Sequence, residues 1–286
     1  MKQITIIGTG LIGGSLALAL KQHGFNGRIV GCDRPPVLDR ASRRGAVDAG
    51  VADPVQAIAG SDLIVLATPV GSIMDLLERL GPIAPPHVVF TDVGSTKAEI
   101  AARAQAIFGE KAPLRFLAGH PMAGKESGGI EQADADLFRG AVWLVTPLAG
   151  QELPVRGGAA PLVDEYLSWI ERLGARVVTM DAARHDRLCA WISHLPQMLS
   201  TALAATLEDE FGDDPDLHAI GGRALREMTR LASSPYSMWR DIALTNTANL
   251  QEAILRLEQR LAHLRENLRT RGLEEEFSRA QKFKKP

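Results

Sequence analysis

Two cysteines, Cys32 and Cys189, are all that this chain of 286 residues carries, and they lie far apart in no metal-ligand spacing. A disulfide framework is excluded, reduced thiols are expected, and no metal is expected. Long apolar runs are lacking too. The best stretch, Leu11 to Leu20, is too short to span a bilayer and contains Gly and Ser. A strand-like run begins almost at Met1, so no signal peptide is expected and the location reads as cytoplasmic, with no membrane partner. Charge of one sign is also missing. A net charge of -2 gives no global field to attract nucleic acid or anionic lipid. The basic Lys282 to Pro286 reads as a short exposed tail. No lysine occurs between Lys125 and Lys282, which leaves the second half without a lysine base.

What is present fits a globular chain with a sizeable core. The hydrophobic fraction is 45% and the charged fraction 23%, and the length suits one large domain or two ordinary ones. β-Branched runs at 2–7, 28–33, 62–67, 88–93, 115–118, 141–146 and 175–180 read as strands. Helical patterns lie between many of them, at 13–22, 73–80 and 97–108 among others. This alternation predicts an α/β fold, a doubly wound and mostly parallel sheet. The Gly/Pro-rich stretch from Pro147 to Pro161 reads as a surface loop.

The pattern changes after about Asp181, and the remainder reads as helical with turns near 212–215 and 233–235. Two domains follow from this, 1–180 and 181–286. In the second, Leu250, Ile254, Leu257, Leu261, Leu264 and Leu268 recur at alternating spacings of four and three, a heptad seam. Such a seam either packs within its own domain or is shared with a second subunit.

Gly8-Thr9-Gly10-Leu11-Ile12-Gly13 is a GxGxxG run between a strand and a helix, as a dinucleotide fingerprint requires. Gly8 allows the tight turn, Gly10 lets backbone approach a pyrophosphate, and Gly13 lets helix and strand pack closely. Leu11 and Ile12 complete the cofactor-binding run. Asp33 ends the next strand, twenty residues after Gly13, where a carboxylate can hold the adenosine ribose hydroxyls. A carboxylate there repels a 2′-phosphate, so NAD is favoured over NADP. Arg34 is the residue that admits NADP, or else stacks on adenine. Thr68 and Pro69 end a further strand and are expected to border the cofactor or to form an ordinary strand-to-helix turn.

Gly119-His120-Pro121-Met122-Ala123-Gly124-Lys125-Glu126 packs an imidazole, a cation and a carboxylate into what reads as a Gly/Pro-punctuated loop after a strand. A His placed there can accept a proton at neutral pH while a bound cofactor accepts a hydride. Thr91 to Lys97 leaves a strand and enters a helix, and Ser95 or Thr96 is a candidate N-cap.

With DVGSTK, GHPMAGKESG, SHLPQ (Ser193 to Gln197) and TRLASSPYSMWRDI (Thr229 to Ile242) in order along nearly the whole chain, the sequence resembles the prephenate/arogenate dehydrogenase family of tyrosine biosynthesis. The resemblance implies a Rossmann-like domain followed by a helical domain that forms most of a homodimer. It implies NAD-dependent oxidative decarboxylation of a small-molecule substrate, prephenate or arogenate. His120 matches the family's catalytic base and Ser95 a serine that orients it. Arg230 matches an arginine that grips a substrate carboxylate; the alternative is a surface ion pair with Glu227 or Asp241. His194, Glu126, Lys125, Gln197 and Trp239 are placed in or beside the substrate pocket, with Asp186 near enough by helical spacing to reach it. Two departures stand out: Gln197 lies where prephenate-using members often carry His, and Lys125 where Thr is common. No chorismate mutase domain is expected before the first strand, and no amino-acid-binding domain after the seam helix.

Overall fold

A computed structural model describes residues 1–151 and 161–284, without the His218 side chain. Most of the expected loop from Pro147 to Pro161 lies outside the described residues. The eight strands are β1 (Gln3–Ile7), β2 (Arg28–Cys32), β3 (Ala49–Gly50), β4 (Leu63–Leu66), β5 (Val89–Asp92), β6 (Phe116–Pro121), β7 (Val142–Thr146) and β8 (Arg176–Thr179). They form one sheet in the order β3-β2-β1-β4-β5-β6-β7-β8. All pairings are parallel except β6 with β7.

The sheet is buried on both faces, which explains why its strands read as continuous apolar runs and not as alternating ones. In β4, Leu63 and Val65 join the core on one face and Ile64 and Leu66 that on the other. Each such burial is worth about 1.5–3 kcal/mol relative to exposure. Helices α1 (Leu11–Gln22), α2 (Pro35–Arg43) and α7 (Pro161–Arg172) cover the first face. The second is covered by α4 (Val70–Leu80) and α5 (Ala98–Phe108), with short α3 (Pro54–Ala57) and α6 (Ala112–Arg115) beside them.

Two details depart from the sequence reading. The two-residue β3 has too little pattern to be seen in sequence. His120 belongs to a strand and not to a loop, because β6 continues beyond Gly119 by antiparallel pairing with β7, His120 opposite Leu144 and Pro121 opposite Trp143.

From Asp181 onward the described chain is helical: α8 (Ala182–Cys189), a π-turn (Ala190–His194), α9 (Leu195–Phe211), α10 (Pro215–Ile220), α11 (Arg223–Thr229), α12 (Tyr236–Thr245), α13 (Thr247–Glu266) and α14 (Arg271–Lys284). The expected basic tail is therefore the exposed end of α14 as far as Lys284. The heptad seam is buried within its own chain only at its start; Ile254, Leu257 and Leu264 are half-buried. Leu250 and Ala253 are the buried residues of α13, Leu261 is 49% exposed, and Leu268 lies beyond the helix end at 63% exposed.

Candidate active site

Three helix N-termini, those of α1, α4 and α5, follow the carboxyl ends of β1, β4 and β5. Each presents unpaired N–H groups and partial positive charge. Two are satisfied by carboxylates from the helical region. Asp241 accepts from Gly71 N (2.9 Å) in α4. Asp186 accepts from Lys97 N (2.7 Å) and Ala98 N (2.9 Å) at α5. Ser95 and Thr96 are therefore not the caps; Thr96 Oγ1 bonds Thr245 Oγ1 instead (2.7 Å). The start of α1 is left open. Gly10 is its N-cap with no side-chain bond, and the first turn holds no acidic residue.

That open terminus has the shape of a diphosphate cradle. Gly8 has φ +96, and a Cβ there would lie 2.4 Å from Ala67 O. A Cβ on Gly13 would lie 2.0 Å from Gly8 O, whereas one on Gly10 would meet nothing within 4 Å. So Gly13 fixes the packing of α1 on the turn, and the space before Gly10, Leu11 and Ile12 is clear. Asp33 Oδ2 accepts from Thr9 N (2.8 Å) and Oδ1 from Arg34 N (2.8 Å), so the carboxylate also braces the turn. Gly8, Asp33, Arg34 and Thr68 line one cavity of about 370 Å³. Its walls also include Cys32, Ser72 and Arg79, which no sequence signal singled out. Thr68 Oγ1 is buried without a partner. Pro69 is exposed and stands outside the cavity wall as the N-cap of α4. An open helix terminus, a glycine cradle and an orphaned hydroxyl fit a dinucleotide, and Asp33 fits its ribose.

His120, at the carboxyl end of β6, heads a buried chain. Its Nδ1 lies 2.9 Å from His185 Nε2, and His185 Nδ1 lies 2.8 Å from Asp186 Oδ1. A carboxylate only accepts, so His185 Nδ1 carries a proton and donates. When His185 carries only that proton, its Nε2 is bare and accepts from His120 Nδ1–H. The lone pair of His120 is thereby placed on Nε2. Burial pushes the His120 imidazole well below its ordinary range, helped by His185, Lys97 and His194. The His120 imidazole is therefore neutral, with a lone pair free to accept a proton. Lys97 is itself fully buried against Asp92. Burial lowers its ammonium, and the Asp92 carboxylate opposes that shift. Nothing in the sequence marked His185; its role exists only after a strand and a helix meet.

His194 closes the π-turn. Pro196 lacks the N–H that would reach back to residue 192, and its ring crowds that carbonyl, so a regular turn cannot continue there. His194 is 1% exposed. Asn246 Nδ2 donates to Asp186 O (2.8 Å) and faces His194 Nδ1 (3.2 Å), so the His194 proton sits on Nε2, which is buried without a partner. Burial lowers His194 to about 4. Trp239 packs edge-on against it, ring centroids 5.9 Å apart, with its own Nε1 unpartnered. Gln197 is buried and donates to Leu231 O (2.8 Å), next to Arg230, leaving Oε1 an unpaired acceptor.

Arg230 pairs with Glu126, so the structure joins two expected pocket residues. The expected surface partners are taken elsewhere, Glu227 by Arg223 and Asp241 by Arg240. Lys125 turns away from these groups: its Nζ donates to Gln132 O (2.9 Å) and lies 3.6 Å from Asp134, tying down its own loop. Ser95 is half-buried, and no hydrogen bond joins it to His120 among the described residues. The Asp186 carboxylate serves α5 and His185, not the His194 pocket.

Comparisons with known proteins agree with this arrangement. The family described as prephenate dehydrogenase, nucleotide-binding domain, matches residues 16–178, and prephenate dehydrogenase, dimerization domain, matches 181–283. A prephenate dehydrogenase of Lactococcus lactis subsp. cremoris is 32% identical over 91% of this chain and 70% of its own length. One of Bacillus subtilis is 31% identical over 85% of this chain and 64% of its own length. The crystal structure of prephenate dehydrogenase from A. aeolicus, in complex with hydroxyphenyl propionate and NAD+, superposes with a TM-score of 0.86 at 32% identity, covering 99% of this chain and 95% of that one.

Proposed function

The chain belongs to the prephenate dehydrogenase family and is an NAD-dependent oxidoreductase, and on that premise we propose that it converts prephenate to 4-hydroxyphenylpyruvate in tyrosine biosynthesis. The observation that carries this reading is the Asp186–His185–His120 chain, which leaves a neutral acceptor nitrogen at the carboxyl end of β6. NAD, when bound at the α1 terminus, supplies the hydride acceptor. His120 Nε2 takes the proton of the ring hydroxyl as the carbinol carbon is oxidised to a carbonyl. The electron pair of the ring–carboxylate bond then enters the ring as carbon dioxide leaves. Aromatisation drives this step, and the same proton returns to the phenolate oxygen. Residues then have mainly to orient substrate and manage one proton.

Arg230 is assigned the substrate carboxylate, which its planar fork suits, with Glu126 holding that fork in place beforehand. His194 and Trp239 offer two buried N–H donors, and Ser95 is assigned to orient the base. Leu11, Ile12, Gly8, Gly10, Gly13, Asp33, Arg34 and Thr68 are assigned to NAD, with Pro69 at its border. The division of domains is placed between 180 and 181. A homodimer through the helical domain and a cytoplasmic location complete the reading. No helix among the described residues is long and apolar enough to cross a membrane.

One observation favours a second substrate. Gln197 Oε1 is a buried acceptor in want of a donor, which an α-ammonium supplies and an α-keto group does not. Arogenate differs from prephenate in that group.

The test is NADH production by the purified protein with prephenate and arogenate separately, each with NAD and NADP. Turnover of prephenate with NAD is expected; turnover of arogenate alone moves the activity to the second reading. Arg230→Ala is expected to raise KM for the substrate at least about tenfold with a smaller effect on kcat, because it removes binding shared by ground and transition states. An unchanged KM returns Arg230 to a surface role.

A further inference from the structure

Behind the base lies a group that the proposed reaction does not use. Cys189 Sγ is 3.6 Å from His185 Nε2, and one ligand atom each from His120, His185 and Cys189 all lie within 4.8 Å of one another. All three side chains are buried. His185 and Cys189 stand one helical turn apart on α8, so a single helix face presents both, and β6 brings His120 to them.

We propose that His120, His185 and Cys189 form an inhibitory site for a borderline-soft divalent ion such as Zn²⁺. The geometry is close to what the ion needs. Tetrahedral Zn²⁺ with ordinary bond lengths separates a nitrogen and a sulfur ligand by about 3.6 Å, and two nitrogens by about 3.3 Å. The His185–Cys189 separation is already met at 3.6 Å, His120 and His185 must part slightly from 2.9 Å, and His120 and Cys189, within 4.8 Å, must close to about 3.6 Å. Two imidazoles and a thiolate suit zinc over magnesium or calcium. The outer shell is in place as well, because a zinc-bound histidine commonly donates its other N–H to a carboxylate, as His185 Nδ1 does to Asp186.

Occupancy changes the base in a definite way. Ligation through His120 Nδ1 displaces the proton now shared with His185. Neutral His120 then carries its proton on Nε2, toward the substrate, and becomes a donor with no lone pair to offer. Cys189 releases its thiol proton to solvent on binding, and no electron is transferred. Burial pushes that thiol up to about 12, which sets a cost against the ion and keeps the site one of modest affinity.

Inhibition rests on His120 being the base, but occupancy does not, so the two are read separately. Cd²⁺ titrated into the full chain reports binding through its thiolate charge-transfer absorbance; Zn²⁺ titrated into the NADH assay reports inhibition. The expected result is one Cd²⁺ per chain with a thiolate band that persists in Cys32→Ser and is lost in both Cys189→Ser and Cys189→Ala. The half-inhibitory Zn²⁺ concentration should rise at least about tenfold in both Cys189 variants, as expected for loss of a ligand, with turnover in the absence of zinc nearly unchanged. A band that is absent, or that survives in the Cys189 variants, overturns the site. Equal zinc sensitivity of wild type and both variants overturns its inhibitory role. Should neither prephenate nor arogenate be turned over, the proposed function fails while the Cd²⁺ band still decides the site.

Discussion

With His120 as the proposed base, its protonation state sets the acid side of the reaction. The groups facing it are His185, Lys97 and His194, and with burial they lower its affinity for a proton. Protonation that stops the base therefore occurs below the ordinary imidazole value of about 6.5, and the acid limb of kcat/KM against pH is expected below that value. A limb at or above 6.5 removes His120 from the role. The same sign applies to stability. His120 and His194 bind protons less readily folded than unfolded, so their contribution is present above about pH 6.5 and is lost as pH falls below it. His120→Asn is expected to lower kcat about 10²–10⁴-fold with NAD binding intact, read by steady-state kinetics and cofactor titration. Asp186→Asn keeps an acceptor for α5 but can present an N–H toward His185. The tautomer of His185 is then no longer fixed, and with it that of His120. A loss of at least about tenfold in kcat with little change in KM is expected, and a change in KM alone would make Asp186 only a helix cap. At this scale the motifs singled out His120 and Arg230, and the structure places the first against His185 and the second against Glu126. His185 was not legible, since its partner is 65 residues away. The contacts of Lys125 with Gln132 and Asp134 were not legible either, because those residues carry no signal of pairing.

At the scale of elements, which helix terminus is left open tells cofactor from scaffold. α4 and α5 are closed by Asp241 and Asp186, and α1 by nothing. The sequence showed the glycine run that opens α1, because its demands are local. It did not show the two long-range caps, which need a helical region folded against the sheet. Gly13 is where this arrangement is tightest, since a Cβ there meets Gly8 O at 2.0 Å and Ile6 Cγ2 at 2.9 Å. Gly13→Ala must push α1 away from β1. Overpacking of this kind costs about 1–3 kcal/mol, which denaturant unfolding should show. The displaced N–H groups should raise KM for NAD about tenfold or more, while KM for the second substrate changes little. Unchanged NAD binding in a folded Gly13→Ala protein would separate the α1 terminus from the cofactor. The strand alternation was legible for the same local reason as the glycine run. The extension of β6 through His120 was not, because it depends on pairing with β7.

Across the whole molecule the two halves bury themselves unequally. The sheet domain closes its apolar faces on both sides, whereas the helical region leaves Phe211, Leu244, Leu261 and Phe277 between 49% and 68% exposed. Apolar side chains gathered on one region of a chain mark a surface meant for a partner. The proposed homodimer would answer this: the matching family segment is described as a dimerization domain, and the far end of the seam, at Leu261, is exposed in the same region. The heptad spacing was visible in the sequence. Whether it served the chain itself or a neighbour depended on where α13 lay, which spacing alone does not fix. Light scattering of the purified protein is expected to give twice the chain mass. Leu261→Glu places a charge in the seam without touching the core of the sheet domain, and it is expected to weaken self-association at least about tenfold, since an unpaired charge is costly to bury. The sheet domain should keep its fold in that variant, judged by NAD binding. If the wild type is monomeric at tens of micromolar, or Leu261→Glu associates as the wild type does, the seam is not the interface. The exposed leucines would then belong to some other partner.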